Sequence, residues 1–229
     1  MKQKKKQSSK TAVFTALHRS IYHMENPASG GCDIGNDSLA SLFLPGLFRF
    51  LIRFNGMRRK IRKKFDRLIP GLHEYIVART RFFDEAFVQS RDKGITQIVI
   101  LGAGFDTRAL RLLRNGSARV IELDIAATQE AKRNRLKKHQ VDSPDNIVYA
   151  PIDFNQDNLR DVLQKAGYRE ELPTLFLWEG VSYYLDPESV DQMLGWFSKN
   201  CHPDSQILFD YTVPVTEANI NDYGISRFR

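Results

Sequence analysis

The stretch QIVILGAGFDTRALRL, Gln97 to Leu112, decides the fold. Gln97 to Leu101 is a short apolar run rich in β-branched residues, the composition of a buried strand. Gly102 and Gly104 follow, and their missing side chains allow a sharp turn and a close backbone approach to a ligand. From Thr107 to Leu113 the apolar residues return at helical spacing. A strand that passes through a glycine turn into a helix is the opening unit of a parallel α/β sheet.

The rest of the chain repeats that alternation. Apolar runs at Val120–Leu123, Ile147–Ile152, Leu175–Trp178 and Ile207–Asp210 read as four further strands, and Ala126–Lys138, Asn158–Ala166 and Pro187–Lys199 read as helices between them. The predicted fold is therefore α/β, a parallel sheet flanked by helices on both faces. The first ninety or so residues have a different texture, helices and loops without strand patterns: a helix at Thr11–Tyr22, a loop at Asn26–Asp37 and two or three helices to Arg91. We expect residues 1–92 to form a helical cap or lid and residues 93–229 the ligand-binding core, packed as one domain.

Composition narrows the class. With 42% hydrophobic and 27% charged residues the chain is globular, and no apolar run approaches the roughly 18 residues that span a bilayer. No secretory signal is evident, and Cys32 and Cys201 stand far apart without a Cys/His cluster. Neither a disulfide framework nor a metal site is expected, and a cytoplasmic location fits. The net charge of +7 is concentrated early, in Lys2–Lys10 and in Arg58–Arg67. No nucleic-acid motif accompanies it. The second cluster follows SLFLPGLFRFLIRFNG, for which we expect a helix with its Phe and Leu face on the core and its basic face in water. Weak contact with a membrane surface is the alternative.

Ligands of such sheets sit beyond the carboxyl ends of the strands. Asp124 ends the second strand about 20 residues past the glycines, where a carboxylate accepts hydrogen bonds from ribose hydroxyls. Asp153 and Phe154 end the third strand and offer a carboxylate for an exocyclic amine and an aromatic face for a purine. Both features suit an adenosine-bearing ligand. Thr107 stands where a dinucleotide turn has its third glycine, and the nearby Asp106 is expected to repel a diphosphate. S-adenosylmethionine, with its ammonium and sulfonium, suits such an acidic turn better than NAD does.

Six segments in order, ARTRFFDEAF (Ala78–Phe87), VILGAGFDTRALRL (Val99–Leu112), VIELDIAATQEAKRNRL (Val120–Leu136), YAPIDF (Tyr149–Phe154), PTLFLWEGVSYYL (Pro173–Leu185) and ILFDY (Ile207–Tyr211), resemble the leucine carboxyl methyltransferase family. The likeness is to its bacterial and fungal branch of S-adenosylmethionine-dependent O-methyltransferases. The resemblance implies the class I, Rossmann-like methyltransferase fold. It implies that Arg79 pairs with the cofactor's methionyl carboxylate, that Gly102, Ala103 and Gly104 line its methionyl group, and that Asp124 takes the ribose. It further implies that Asp153 and Phe154 take the adenine, that Glu179 lies near the amino end, and that Lys10, in an N-terminal Ser-Lys-Thr-Ala echo, closes over the cofactor.

The expected reaction is methyl transfer to a carboxylate, or a hydroxyl, of a small acceptor, oriented by Tyr183 and Tyr184. A carboxylate is already ionised at neutral pH and needs no strong base. Two alternatives stand: a cofactor-binding chain of impaired turnover, and an NAD(P)-binding oxidoreductase. The first has a foothold, since sheets of this class carry sixth and seventh strands that we do not find in the sequence. Ile207–Tyr211 is then expected to be a hydrophobic edge open to pairing with another chain.

Overall fold

The structure, a computed structural model, describes residues 10–27, 33–113, 118–213 and 216. Cys32 and the basic residues before Lys10 lie outside them. Five strands, β1 (Gln97–Leu101), β2 (Arg119–Asp124), β3 (Ile147–Pro151), β4 (Thr174–Trp178) and β5 (Gln206–Phe209), form one parallel sheet in the order β3-β2-β1-β4-β5. In register, Leu101 lies opposite Leu123 of β2, and Val99 lies between Ile121 of β2 and Phe176 of β4.

Every residue of β1 and β4 is buried, because helices cover both faces of the sheet. Alternate side chains then serve different cores. Val99 and Leu101 pack with Phe176, Trp178 and two residues of α8 (Pro187–Asn200), Met193 and Phe197. Ile98 and Ile100 pack with Leu175, Leu177 and two residues of α4 (Leu72–Asp92), Phe83 and Phe87. The crossovers are α5 (Arg108–Arg111), α6 (Ala126–Lys138), α7 (Leu159–Lys165) and α8. The Asn158 side chain caps α7 by accepting the Asp161 N–H at 3.2 Å.

Ahead of the sheet come α1 (Lys10–Glu25), a 3-10 turn at Ala40–Phe43, α2 (Gly46–Leu51), α3 (Asn55–Leu68) and α4. Ala12, Ala16, Leu17 and Ile21 of α1 form a third core with Phe43, Leu44 and Ile52, which also takes in Phe105 and Leu136. The rings of Phe43 and Phe105 stack at 4.8 Å. Burying a phenylalanine is worth about 1.5–3 kcal/mol, so this contact anchors the N-terminal helices on the residue that follows the glycine turn.

Two expectations change. The helix after the turn is a single turn, Arg108–Arg111, rather than Thr107–Leu113. Its polar side chains fix the turn instead of extending the helix: Asp106 accepts the Arg108 N–H at 2.7 Å, and Thr107 Oγ1 accepts from Arg111 Nε at 2.8 Å. The second concerns the segment before the basic cluster, which lays only part of its Phe and Leu residues on the core. Pro45, lacking an N–H, splits it into the 3-10 turn and the short α2. Phe43, Leu44 and Ile52 are buried on either side, while Leu47, Phe48, Phe50 and Phe54 are exposed.

β5 pairs with β4, and among the described residues no strand lies beyond it. Phe209 and Tyr211 are exposed among the described residues. Among the described residues no helix is long and apolar enough to cross a membrane.

Candidate functional site

The strand order reverses direction between β1 and β4, and a cleft of about 330 Å³ opens at their carboxyl ends. The ends of β1 to β4 contribute to it. Gly102 to Asp106 follow β1, Asp124 and Ile125 follow β2, Phe154 follows β3, and Glu179 to Val181 with Tyr183 and Tyr184 follow β4. α4 adds Arg79 and Thr80, while α1 closes the top with Thr11, Ala12, Thr15 and Arg19.

The glycine turn is required by sterics. Gly102 has φ +66°, and a Cβ there would lie 2.3 Å from Val181 Cγ2. Gly104 has φ +50°, and its Cβ would come within 3.2 Å of the Ala12 Cβ on α1. Asp124 holds the turn from below: Oδ2 accepts the Gly104 N–H at 2.7 Å, and Oδ1 accepts the Ile125 N–H at 2.7 Å. Burial pushes the Asp124 carboxyl above its usual range, although those two N–H groups oppose the shift. The Thr128 side chain also hydrogen-bonds to this carboxylate.

Beside the turn lies a buried network of arginines and carboxylates. The Arg108 side chain is 2% exposed; its Nε meets Asp84 Oδ1 at 2.6 Å, its Nη1 meets Asp106, and its Nη2 meets Glu179 Oε2 at 2.7 Å. Glu179 turns its other oxygen to Arg79, 2.9 Å from Nε. Arg79 Nη1 reaches Asp210 Oδ2 at 2.8 Å and the Tyr183 hydroxyl at 3.4 Å. Burial alone would raise the Asp106 and Glu179 carboxyls, but the guanidiniums outweigh it and hold both below the usual carboxylate range. Burial would likewise lower Arg79 and Arg108, yet their carboxylate partners raise both.

The sequence reading therefore needs one correction here. Asp106 carries a charge already balanced by Arg108, so it is a weaker barrier to a diphosphate than its position suggests. Two other features disfavour a dinucleotide. The Gly104 N–H is committed to Asp124, and the helix after the turn is too short to present the aligned amides that hold a pyrophosphate.

Arg79, Gly102, Ala103, Gly104, Asp124, Phe154, Glu179, Tyr183 and Tyr184 all line the cleft. Asp153 sits in the adjoining turn, outside the lining, where its N–H donates to Asp157 Oδ2 at 2.7 Å. Lys10 is exposed at the head of α1, one residue before the lining begins at Thr11. Sequence reasoning missed Thr11, Thr15 and Arg19, whose spacing of four sets them on one helical face. It also missed Arg108 and Asp210.

The family model for leucine carboxyl methyltransferases matches residues 12–198. The chain belongs to the leucine carboxyl methyltransferase family. Among its relatives is a "Putative S-adenosyl-L-methionine-dependent methyltransferase" of Mycobacteroides abscessus, 36% identical over 65% of this chain and 47% of that protein. Another, of the same name, from Mycobacterium tuberculosis, is 39% identical over 60% of this chain and 43% of that protein. The chain thus matches a little under half the length of these curated relatives. The crystal structure of a "putative methyltransferase" from Thermobifida fusca superposes with a TM-score of 0.57 at 18% identity, covering 97% of this chain and 73% of that one. That likeness shows the fold, the class I methyltransferase architecture that the family resemblance implies. The family match runs from α1 into α8, so it takes in the glycine turn, Arg79, Asp124, Phe154 and Glu179.

Proposed function

We propose that the protein binds S-adenosylmethionine in this cleft and that its cap and core together methylate an oxygen of a small carboxylic acid. The observation that carries the reading is the convergence, in one cleft, of the Asp124 carboxylate, the Phe154 ring and the Arg79–Glu179 pair around a glycine turn that tolerates no side chain. These residues fit the cofactor. The Asp124 carboxylate, on the cleft wall, suits a ribose hydroxyl, and Phe154 suits the flat face of adenine. Arg79 and Glu179 offer opposite charges for the carboxylate and ammonium of an amino acid. The fit extends to the cap, since Thr11 and Thr15 of α1 face the turn from above.

Once bound, the cofactor supplies a methyl group on a sulfonium. The chain's own share is to hold the two reactants in line and keep water out. Among the described lining residues there is no histidine. Asp106 and Glu179 are held ionised in salt bridges, and burial raises the Tyr183 hydroxyl above its ordinary range. Tyr183 can therefore donate a hydrogen bond at neutral pH but does not serve as a base. A cleft so equipped suits an acceptor that arrives ionised, which favours a carboxylate over a hydroxyl. Tyr183 and Tyr184, whose rings meet at 4.7 Å beside the turn after β4, are placed to orient it.

Calorimetric titration with S-adenosylhomocysteine and, separately, with NAD tests the reading. Binding of the former alone is expected. Asp124→Ala should weaken it by about ten- to a hundred-fold, the worth of a hydrogen bond to a charged group, with an unchanged circular dichroism spectrum. Binding of NAD alone would replace the methyltransferase reading with an oxidoreductase one. Mass analysis of small carboxylic acids incubated with the protein and S-adenosylmethionine then identifies the acceptor class.

A further inference from the structure

We propose that the outer surface of α2 and α3 docks the protein onto a bilayer rich in acidic lipid. In α3 the exposed residues Arg59, Lys60, Lys63, Lys64 and Arg67 recur at helical spacing. They fall within one arc of about 140° and form an uninterrupted basic face. Lys60, Lys63, Lys64 and Arg67 also line one shallow depression together with Leu68. The inner arc, with Ile61 and Phe65, packs against the α1 core, and Arg62 ties the helix to Glu25 and Glu74 at 2.8 and 2.9 Å. The basic face is thus held outward by contacts on the opposite side.

Large apolar side chains flank this face at both ends. Before it stand Leu47, Phe48, Phe50 and Phe54, exposed by 68, 45, 54 and 54%, and no residue of α2 is buried. Phe50 and Phe54 meet edge to face at 5.4 Å. After it stand Leu68 and Ile69, each 51% exposed. Cations matched to headgroup phosphates, bordered by phenylalanine and leucine that enter the acyl boundary, make the pattern of an interfacial helix. Each basic residue near an acidic surface strengthens attachment on the order of five-fold.

Charge also selects among other occupants. A second copy of the chain would bring two basic faces together. A nucleic acid would satisfy the cations but leave Leu47, Phe48 and Ile69 in water.

Flotation of the 229-residue protein with large unilamellar vesicles tests the proposal. One set is phosphatidylcholine alone and the other contains one part phosphatidylglycerol to two of phosphatidylcholine. Flotation is expected only with the acidic set. The triple variant Lys60→Glu, Lys63→Glu, Lys64→Glu should weaken attachment at least ten-fold, and Phe50→Ser with Phe54→Ser severalfold. Both sets of residues are exposed, and circular dichroism checks that each variant folds. Absence of flotation with acidic vesicles overturns the proposal, as does unchanged attachment of both variants, which would move the contact elsewhere. Loss in the charge variant with no loss in the phenylalanine variant, together with tighter binding to duplex DNA than to acidic vesicles, would assign the face to nucleic acid instead.

Discussion

Asp210 Oδ2 lies 2.8 Å from Arg79 Nη1, while its Oδ1 accepts the Gly180 N–H at 2.6 Å. One carboxylate past the end of β5 therefore fixes both the guanidinium that α4 sends into the cleft and the turn that follows β4. Its main-chain oxygen also accepts from the Ser182 hydroxyl. Asp210 is a positioning residue for Arg79. Asp210→Ala should leave Arg79 held by Glu179 and the Tyr183 hydroxyl and weaken S-adenosylhomocysteine binding about ten-fold, the worth of one charge-assisted hydrogen bond. Asp210→Asn can still accept from Gly180 and should recover part of the loss. Equal losses in the two variants, measured by calorimetry, would show that the charge and not the turn is what matters.

The glycine turn carries a different kind of constraint. Gly102→Ala places a Cβ 2.3 Å from Val181 Cγ2 at a φ of +66°. The left-handed backbone costs about 1–2 kcal/mol and the overlap about 1–3 kcal/mol more. Urea unfolding should show a combined loss in that range, with cofactor binding abolished because Val181 must move within the lining. Adding Val181→Ala relieves the overlap but not the backbone strain. Partial recovery of stability is the expected result, and full recovery would mean that the backbone at residue 102 carries little strain.

Much of this was legible in the sequence, for a physical reason. Strands buried on both faces need continuous apolar runs, so β1, β2 and β4 declared themselves to within a residue or two, as did the partly buried edge strand β3. Strand ends in such a sheet meet at one cleft, which is why Asp124 and Phe154 were found from position, while Glu179 came from the family resemblance. The same rule pointed to Asp210, which follows β5 and was passed over. Arg108 gave no signal. An arginine in the first turn of a helix reads as a solvated side chain, and only the convergence of Asp84, Asp106 and Glu179 from three elements makes it a buried one. The exposure of Leu47, Phe48 and Phe50 was equally hidden, since periodicity reports that a helix has an apolar face but not what covers it.

The Arg108 network should be costly to break from one side. Removing the guanidinium in Arg108→Ala leaves Asp84 with Arg111 at 3.1 Å and Glu179 with Arg79, but leaves Asp106 without its ion pair in a buried site. Loss of one partner of a buried pair is worth about 3–5 kcal/mol. The urea midpoint should fall accordingly. In the double variant Arg108→Met with Asp106→Asn, which removes charge from both sides, the loss should be smaller. A double variant no more stable than Arg108→Ala would mean that hydrogen-bond geometry, and not the unpaired charge, accounts for the cost.

His18 makes the stability of the cap depend on pH. Its Nδ1 lies 3.0 Å from Nδ1 of His73, and its ring packs edge to face against Phe14 and Phe65. Burial, and then the neighbouring His73, lower its pKa from 6.5 to about 4, and burial lowers His73 in the same direction. Above pH 6.5 both the folded and the unfolded chain carry a neutral ring, and the full stability is present. As the pH falls from 6.5 toward 4 the unfolded chain takes up a proton that the folded chain does not, so stability falls, by about 2 kcal/mol at pH 5 for His18 alone. Most carboxylates titrate below that window, but buried Glu122, raised to about 7, takes up a proton in the folded chain within it and opposes the loss. In urea unfolding at pH 7 and pH 5, the wild type should lose about 2 kcal/mol more than His18→Leu, because Glu122 and His73 titrate in both proteins. Equal losses in the two proteins would remove His18 as the source of the acid sensitivity.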